Sequence, residues 1–351
     1  MTDASADPTA AAAVPSRRQQ KKPAATIYDI AELAGVNPST VSRALGKPGR
    51  VSAKTEAKIR AAAAELNFRM NPMARALPTG RTNTLALVVA DITNPMVFGM
   101  VRGAEHAATA AGFTLVIAES QESGEAESSA IEQIMPSVDG VVLATTRLGP
   151  EAICEIAARK PIVLINHEVE GVASVVPDVE VGVRELVEHL HGLGHRSIAY
   201  LSGPPTSWMS DRRWAALLDV AEELDLAAVE IGPNAPTIDG GRAAFRRVVA
   251  SRATAVIAFN DLMAIGVMKE AAEHATVVPD DLSVAGFDDI FGSDLITPPL
   301  TTVRAQLVTA GERAVRHLLA EVVDGEPEPS GEPLPTELVV RGSTGSAPGG
   351  R

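Results

Sequence analysis

The side chains able to do chemistry fall into two groups. The first lies within PSTVSRAL (38–45), where Ser39, Thr40, Ser42 and Arg43 are spaced to share the outer face of one short helix. An arginine reaches guanine O6 and N7 in bidentate fashion, and short hydroxyls suit phosphates or several bases. The second group falls in the loops that follow apolar runs: Asp91 and Asn94, Asn166 and His167, Arg213, Asn260, Asp288 and Gln306. Arg and Asp together offer paired donors and acceptors to a polyhydroxyl ligand. Arg212 competes with Arg213 for this role, and Asn260-Asp261 equally suits the cap of a following helix. Bond-making chemistry lacks its signatures: there is no GxxxxGK[ST], no GxSxG, no GxGxxG after a strand and no CxxC. His189, His191 and His195 lie close together, but no cysteine or well-placed carboxylate completes a metal shell, so solvated or capping roles are expected. Cys154 sits in an amphipathic stretch and reads as core filler. Neither an enzyme nor a cofactor is expected.

The first group needs a helical scaffold, and TIYDIAELAGVNPSTVSRAL (26–45) supplies one. Thr26 caps a first helix with Asp29 in its acidic first turn, and Ile30, Leu33 and Ala34 form the expected buried stripe. Gly35 supplies the turn, and Asn37-Pro38 restarts the chain as N-cap and first residue of a second helix. That helix buries Val41, Ala44 and Leu45, and a third, starting at Ser52, buries Ile59, Ala62, Ala63 and Leu66. Two helices joined by a short Gly-containing turn form the motif whose second helix enters the major groove. A three-helix protein-binding module would share the pattern, but not the charge. Residues 1–80 hold 12 Lys or Arg against 6 Asp or Glu, a net of +6, while the remainder holds 19 against 38, a net of −19. A basic head on an acidic body points to a head that meets a polyanion.

The second group needs a sheet. From Thr84 onward the runs LALVVA (85–90), FTLVIAE (113–119), GVVLAT (140–145), PIVLIN (161–166), SIAYLSG (197–203), AVIAFND (255–261) and LSVAGFD (282–288) alternate with amphipathic segments. Near-continuous apolar runs are expected of strands buried on both faces of a parallel sheet. The rhythm predicts an α/β class, and its length predicts two doubly wound parallel-sheet lobes with a cleft between them. One cysteine fits a reducing compartment, and no apolar run approaches the roughly 18 residues of a membrane span. SRRQQKK (16–22) has the basic start of an export signal but no apolar region after it, so a cytoplasmic location and no membrane contact are expected.

Taken in order, TIYDIAELAGVNPSTVSRAL, RVSAKTEAKI, NPMARAL, TGRTNTLALVVADITNP, HGLGHRSIAYLSGP, AFNDLMAIG, VPDDLSVAGFDD, TPPLTTVR and LVVRGST resemble the lactose-repressor (LacI/GalR) family of bacterial transcription regulators over roughly residues 26–344. The resemblance implies a basic arm (1–25), a helix-turn-helix domain (26–70), a hinge helix (71–80), a two-lobed effector-binding and dimerisation domain like periplasmic sugar-binding proteins (81–344) and a loose tail (345–351). It also implies a DNA-contacting set of Tyr28, Asn37, Ser39, Thr40, Ser42, Arg43, Arg75 and Leu77. The partners implied are double-stranded operator DNA of pseudo-palindromic sequence, a second copy of the chain, and a small polar, sugar-like effector among the second group of residues. Repression is the expected outcome, activation the alternative within the family, and a solute-binding protein the reading outside it.

NPMARALPTG (71–80) opens with a helix N-cap and first-turn proline and closes at Pro78, little more than one turn later. A lone helix needs about 12–15 residues to be even marginal in water. The resemblance implies that DNA and a symmetry mate complete this helix, with Leu77 wedged between base steps of the minor groove, a contact that unstacks and kinks a duplex. Pro78 departs from the family, which usually places a basic or polar residue there. Met96 and Val97 stand where aromatics are frequent, Pro236 near another such position, and His167 where arginine is common; Trp208 is the aromatic left to stack on a ring. Leu77→Ala is expected to weaken specific operator binding far more than nonspecific binding. Equal losses of the two, at controlled salt, would remove the wedge from the account.

Overall fold

The computed structural model describes residues 25–46, 50–66, 68, 81–326 and 329–349. The hinge segment 71–80, with Arg75 and Leu77, and the arm up to residue 24 lie outside the described residues. The chain divides into two compact units between Thr79 and Gly80.

The first unit is a three-helix head. α1 (Ile27–Ala34) begins with a full capping box: Asp29 N–H donates to Thr26 Oγ1 at 3.4 Å, and Thr26 N–H donates to the Asp29 carboxylate at 2.6 Å. Gly35 closes α1 in the left-handed region at φ 65°, a conformation that costs other residues more. α2 (Pro38–Gly46) follows, and α3 (Ala53–Glu65) is capped by Ser52 Oγ. Ile30, Ala31, Val41, Ala44, Ile59 and Ala62 meet in one small core. Leu33, placed in that core by the sequence pattern, is 47% exposed. At about 100° per residue, Ile30, Ala31 and Ala34 span the inner face and Leu33 falls at its rim.

The second unit carries two sheets. In the first, β1 (Thr84–Val89), β2 (Thr114–Glu119), β3 (Gly140–Ala144), β4 (Ile162–Ile165) and β5 (Ser174–Val175) run parallel in the order β2-β1-β3-β4-β5. In the second, β6 (Ser197–Leu201), β7 (Ala227–Ile231), β8 (Ala255–Ala258), β9 (Ser283–Asp288), β10 (Thr301–Arg304) and β11 (Glu337–Val339) stand in the order β11-β10-β9-β8-β6-β7, with β11 antiparallel. Each sheet therefore reverses its winding once, between β1 and β3 and between β6 and β8. The α/β class with two parallel-sheet lobes agrees with the sequence pattern. β5, β7, β10 and β11 did not announce themselves, being short or, as in Ala227–Ile231, mostly exposed. β2, expected to be buried on both faces, leaves Val116 and Ile117 about 40% exposed at the sheet edge.

Helices cover the faces: α4 (Met96–Ala110), α5 (Gly124–Ile134) and α6 (Pro150–Ala157) with the first sheet, and α7 (Val179–Gly192), α8 (Trp208–Glu223), α9 (Ile238–Ser251) and α10 (Asp261–Glu273) with the second. α11 (Leu307–Leu319) crosses back, and its Ala310, Ala314, Val315 and Leu318 complete the first lobe's core beside Leu85, Leu87 and Met100. α4 and α11 meet through glycines: a Cβ on Gly103 would lie 2.0 Å from the Val308 carbonyl oxygen, and one on Gly311 2.1 Å from that of Met100. Cys154, expected in the core, is exposed on α6, whose inner face is filled by Ile153 and Ile156. Gly345 and Ala347, assigned above to a loose tail, are held: Gly345 N–H donates to Ser283 Oγ at 3.0 Å and Ala347 N–H to the Leu193 carbonyl at 2.9 Å.

Candidate functional site: a cleft between two switch points

In doubly wound sheets the space beyond the strands' carboxyl ends, where the winding reverses, is open to ligands. Here two such points face one another. Ala90, Asp91 and Asn94 follow β1, Thr145 and Arg147 follow β3, and Asn166 follows β4. From the other lobe come Ser207, Met209 and Arg213 after β6, Phe259 and Asn260 after β8, and Asp288 at the end of β9. Met96, Val97, Glu122 and Pro236 complete a cleft of about 500 Å3, its open mouth included.

Arg213 is 7% exposed and Asp288 6% exposed. An uncompensated buried charge is costly. Arg213 answers it by donating to the Phe259 carbonyl oxygen and, at 3.4 Å, to Asp288 Oδ1. Its guanidinium also lies over the rings of Phe287 at 4.1 Å and Phe259 at 5.3 Å. Burial pushes the Asp288 carboxyl up, and Arg213 pulls it partly back. Arg212, the rival in the sequence, points away and pairs with Glu180 on the surface.

On the opposite wall Arg147 Nε donates to Glu122 Oε2 at 2.7 Å and Nη1 to the Thr145 carbonyl at 3.0 Å. Its own N–H donates to Glu127 at 2.8 Å, a buried carboxylate on α5 whose pKa burial raises. Glu122, Thr145, Asn166 and Asp288 all take positive φ, at 58°, 58°, 59° and 102°. Strained backbone of this kind costs about 1–3 kcal/mol per residue and gathers at functional sites.

Of the residues singled out from the sequence, Asp91, Asn94, Asn166, Arg213, Asn260 and Asp288 line this cleft. Their hydrogen-bonding capacity is unequally spent. Asp91 Oδ1 accepts from Thr93, and Asn94 Oδ1 from Met96 N–H at 3.1 Å. Asn260 caps α10 through Met263 N–H at 2.9 Å and donates to the Pro236 carbonyl at 3.0 Å, so the capping role and a place in the cleft coexist. The Asn166 side chain makes no hydrogen bond among the described residues.

Two of the chosen residues stand elsewhere. His167 is buried just behind the cleft, its ring 6.0 Å from that of Trp208 on the facing lobe, with Nδ1 unpartnered among the described residues. Burial first, then the charge of Arg147, holds its pKa down. Gln306 lies on an adjoining open groove with Arg304 and Asp289, because the chain there has already left β10 toward the first lobe. Arg147 and Glu122 were not foreseen. Arg147 had a usable signal, a charged residue in the loop after an apolar run; Glu122 had none. His195 also departs from its expected solvated role: fully buried, it bonds Thr254 at 2.8 Å, Ser283 at 3.0 Å and the Gly345 carbonyl at 3.1 Å. Among the described residues no group of His, Cys, Asp and Glu could hold a metal ion.

In the head, Asn37, Ser39, Ser42 and Arg43 are exposed, Thr40 is half-buried and Tyr28 is 74% exposed. Arg43 Nη2 lies 3.4 Å from Ser39 Oγ, one turn back on the same face. That face is free of core duties, as a groove-reading helix requires.

Behind the cleft, Asp261 is fully buried at the start of α10. Its carboxylate accepts from Thr302 Oγ1 at 2.6 Å, Ser293 Oγ at 2.8 Å and Ile290 N–H at 3.0 Å. Ile290 packs into the first lobe's core, so this carboxylate anchors the loop that joins Asp288 to the other lobe. Burial first, then Asp288, pushes its pKa up from 3.8 to about 7. The folded protein thus holds the proton more tightly than the unfolded chain. The associated stabilisation is complete below about pH 4 and lost as pH rises through about 7. Urea unfolding of wild type and Asp261→Asn should show a gap, wild type minus variant, that shrinks over this window. A gap independent of pH would mean that Asp261 ionises alike in both states.

Comparison with known proteins agrees with this architecture. Residues 26–71 match the model of bacterial regulatory proteins of the lacI family, and residues 187–344 match a periplasmic binding protein-like domain. The ribose operon repressor of Halalkalibacterium halodurans is 30% identical over 323 residues, spanning 91% of this chain and 97% of the relative. The transcriptional repressor CytR of Escherichia coli is 30% identical over 344 residues, spanning 95% and 100%. The solved lac repressor dimer bound to operator and the anti-inducer ONPF superposes with a TM-score of 0.81 at 28% identity, covering 92% of this chain and 99% of that one. A complex of the regulator CelR with cellobiose gives a TM-score of 0.67 at 28% identity, covering 91% and 99%. With the head and residues 187–344 each matched by a family model, and relatives 30% identical over nearly their whole length, this chain belongs to the lacI family of bacterial regulatory proteins.

Proposed function

We propose that this regulator represses transcription from a pseudo-palindromic operator that it binds as a homodimer, and that a small sugar-like effector in the inter-lobe cleft controls it. One observation carries the reading: a helix-turn-helix head with an exposed polar face stands on the same chain as a cleft lined by polar side chains from both lobes, of which Asn166 makes no hydrogen bond among the described residues. No helix among the described residues is long and apolar enough to cross a membrane. A cytoplasmic location is part of the proposal, as contact with chromosomal DNA requires.

On the DNA side, Arg43 reads a guanine in the major groove, Ser39, Thr40 and Ser42 set the register on phosphates and neighbouring bases, and Tyr28 and Asn37 flank them. Two heads related by a two-fold axis address two half-sites one helical turn apart, with Arg75 and Leu77 of each chain at the centre.

On the effector side, the ligand joins Asp91, Asn94 and Asn166 of one lobe to Arg213, Asn260 and Asp288 of the other. Ligand bound to both walls favours one relative angle of the lobes, and that angle sets how the two heads are presented. Coupling of about 1–3 kcal/mol is enough for regulation. The relatives support a sugar: one is a ribose operon repressor and another, the regulator CelR, is solved in complex with cellobiose.

Genomic footprinting tests the DNA half and a thermal-shift screen of metabolites the effector half. Arg43→Ala should lower specific operator affinity by about 1–3 kcal/mol, roughly five- to 150-fold, and leave effector binding alone. Asn166→Ala should do the reverse, since its side chain carries no internal hydrogen bond to lose. If Arg43→Ala proteins bind specific and random DNA with an unchanged ratio, Arg43 is a phosphate contact instead.

A further inference from the structure

We propose that the effector is an uncharged polyhydroxyl compound, and that Glu122 makes the cleft select against its phosphorylated and other anionic counterparts. The inference rests on the reading of the cleft as the effector site and narrows the ligand's class.

The cleft lining holds two guanidinium groups, Arg147 and Arg213, against three carboxylates, Asp91, Glu122 and Asp288. Each guanidinium is already answered from within its own lobe, Arg147 by Glu122 at 2.7 Å and Arg213 by Asp288 at 3.4 Å. The Arg147 side chain is only 6% exposed and Glu122 only 24%, so water screens the pair little. Asp91 forms no ion pair among the described residues, its Oδ1 accepting only from Thr93. An entering phosphate brings about −1.5 to −2 charges and three strong acceptor oxygens. It would meet a lining of net negative charge and would have to break an ion pair to gain a cation.

The other usual anion receptor, a bare helix N-terminus, is partly capped here. Three of the helices that start at the cleft each have a side chain on one N–H of their first turn. Asn94 Oδ1 accepts from Met96 N–H, Ser207 Oγ from Ser210 N–H and Asn260 Oδ1 from Met263 N–H. The groups left over are neutral amides and carboxylate oxygens, with the neutral imidazole of His167 behind them. These suit hydroxyl groups, which both donate and accept.

The test uses the full-length protein with matched probes: D-ribose and D-ribose 5-phosphate, D-glucose and D-glucose 6-phosphate, and cellobiose. Binding is followed by calorimetry and by the fluorescence of the two tryptophans, Trp208 and Trp214. In wild type, a neutral sugar should bind at least about tenfold more tightly than its phosphate. Glu122→Gln keeps an acceptor for Arg147 but removes the neutralising charge. It should raise the ratio of phosphorylated to neutral sugar affinity by about tenfold. Wild type binding a phosphate as tightly as its neutral partner overturns the inference and leaves the effector site standing. So does a Glu122→Gln protein that folds and leaves that ratio unchanged. If no probe binds either protein, the sugar reading of the cleft fails and the inference falls with it. The wild-type pairs decide the matter even where the variant folds poorly.

Discussion

A charge removed from water must be answered inside the protein, and the body of this regulator is arranged around that constraint. Arg213 can be 7% exposed only because Asp288, the Phe259 carbonyl and two aromatic faces meet it together. Those partners come from two neighbouring strands: Phe287 and Asp288 at the end of β9 and Phe259 just after β8. Any ligand entering between the lobes meets this assembly already formed. Preorganisation of that kind is what gives buried polar sites their discrimination, since a ligand group that fails to match leaves a partner unpaired.

The same constraint links cleft to lobe interface. Asp288 sits at φ 102°, and two residues later Ile290 packs into the first lobe's core while its N–H is held by Asp261. Asp261 is itself the first residue of α10, next to Asn260 in the cleft. A few consecutive residues thus carry a cleft-lining carboxylate, a strained turn and an interlobe hydrophobic anchor. A population shift needs differential contacts in two states, and this loop is a short physical path from ligand to lobe angle. The lobe that receives the anchor has α4 and α11 in close backbone approach at Gly103 and Gly311.

Head and body solve different problems. The head keeps its polar face free by confining its core to a few small side chains, Ile30, Ala31, Val41, Ala44, Ile59 and Ala62. The body buries polar groups and satisfies them, as at His195, where two hydroxyls and a carbonyl enclose the ring and tie the final segment to β9. The first arrangement suits reading a large polyanion from solvent, the second enclosing a small solute.

How far the sequence alone reached follows from which interactions are local. The capping box of Thr26 and Asp29, the Gly35 turn and the apolar runs of β1, β3, β4, β6, β8 and β9 each depend on residues within a few positions, and periodicity reveals them. Knowing where apolar runs end, together with the family resemblance, located Asp91, Asn94, Asn166, Asn260 and Asp288, because parallel strands deliver their carboxyl ends to one side; Arg213 came from its spacing at a helix start. What tertiary structure decided are the pairings across the winding. Glu122 neutralises Arg147 25 positions away, Asp261 holds Ile290 29 positions away, and Gln306 leaves the cleft because its strand has already turned toward the other lobe. Cys154 and Leu33 fell on the rims of their helices by a single step of about 100°. Local patterns carry the period of an element but neither the order of strands nor the partner that a buried charge will find.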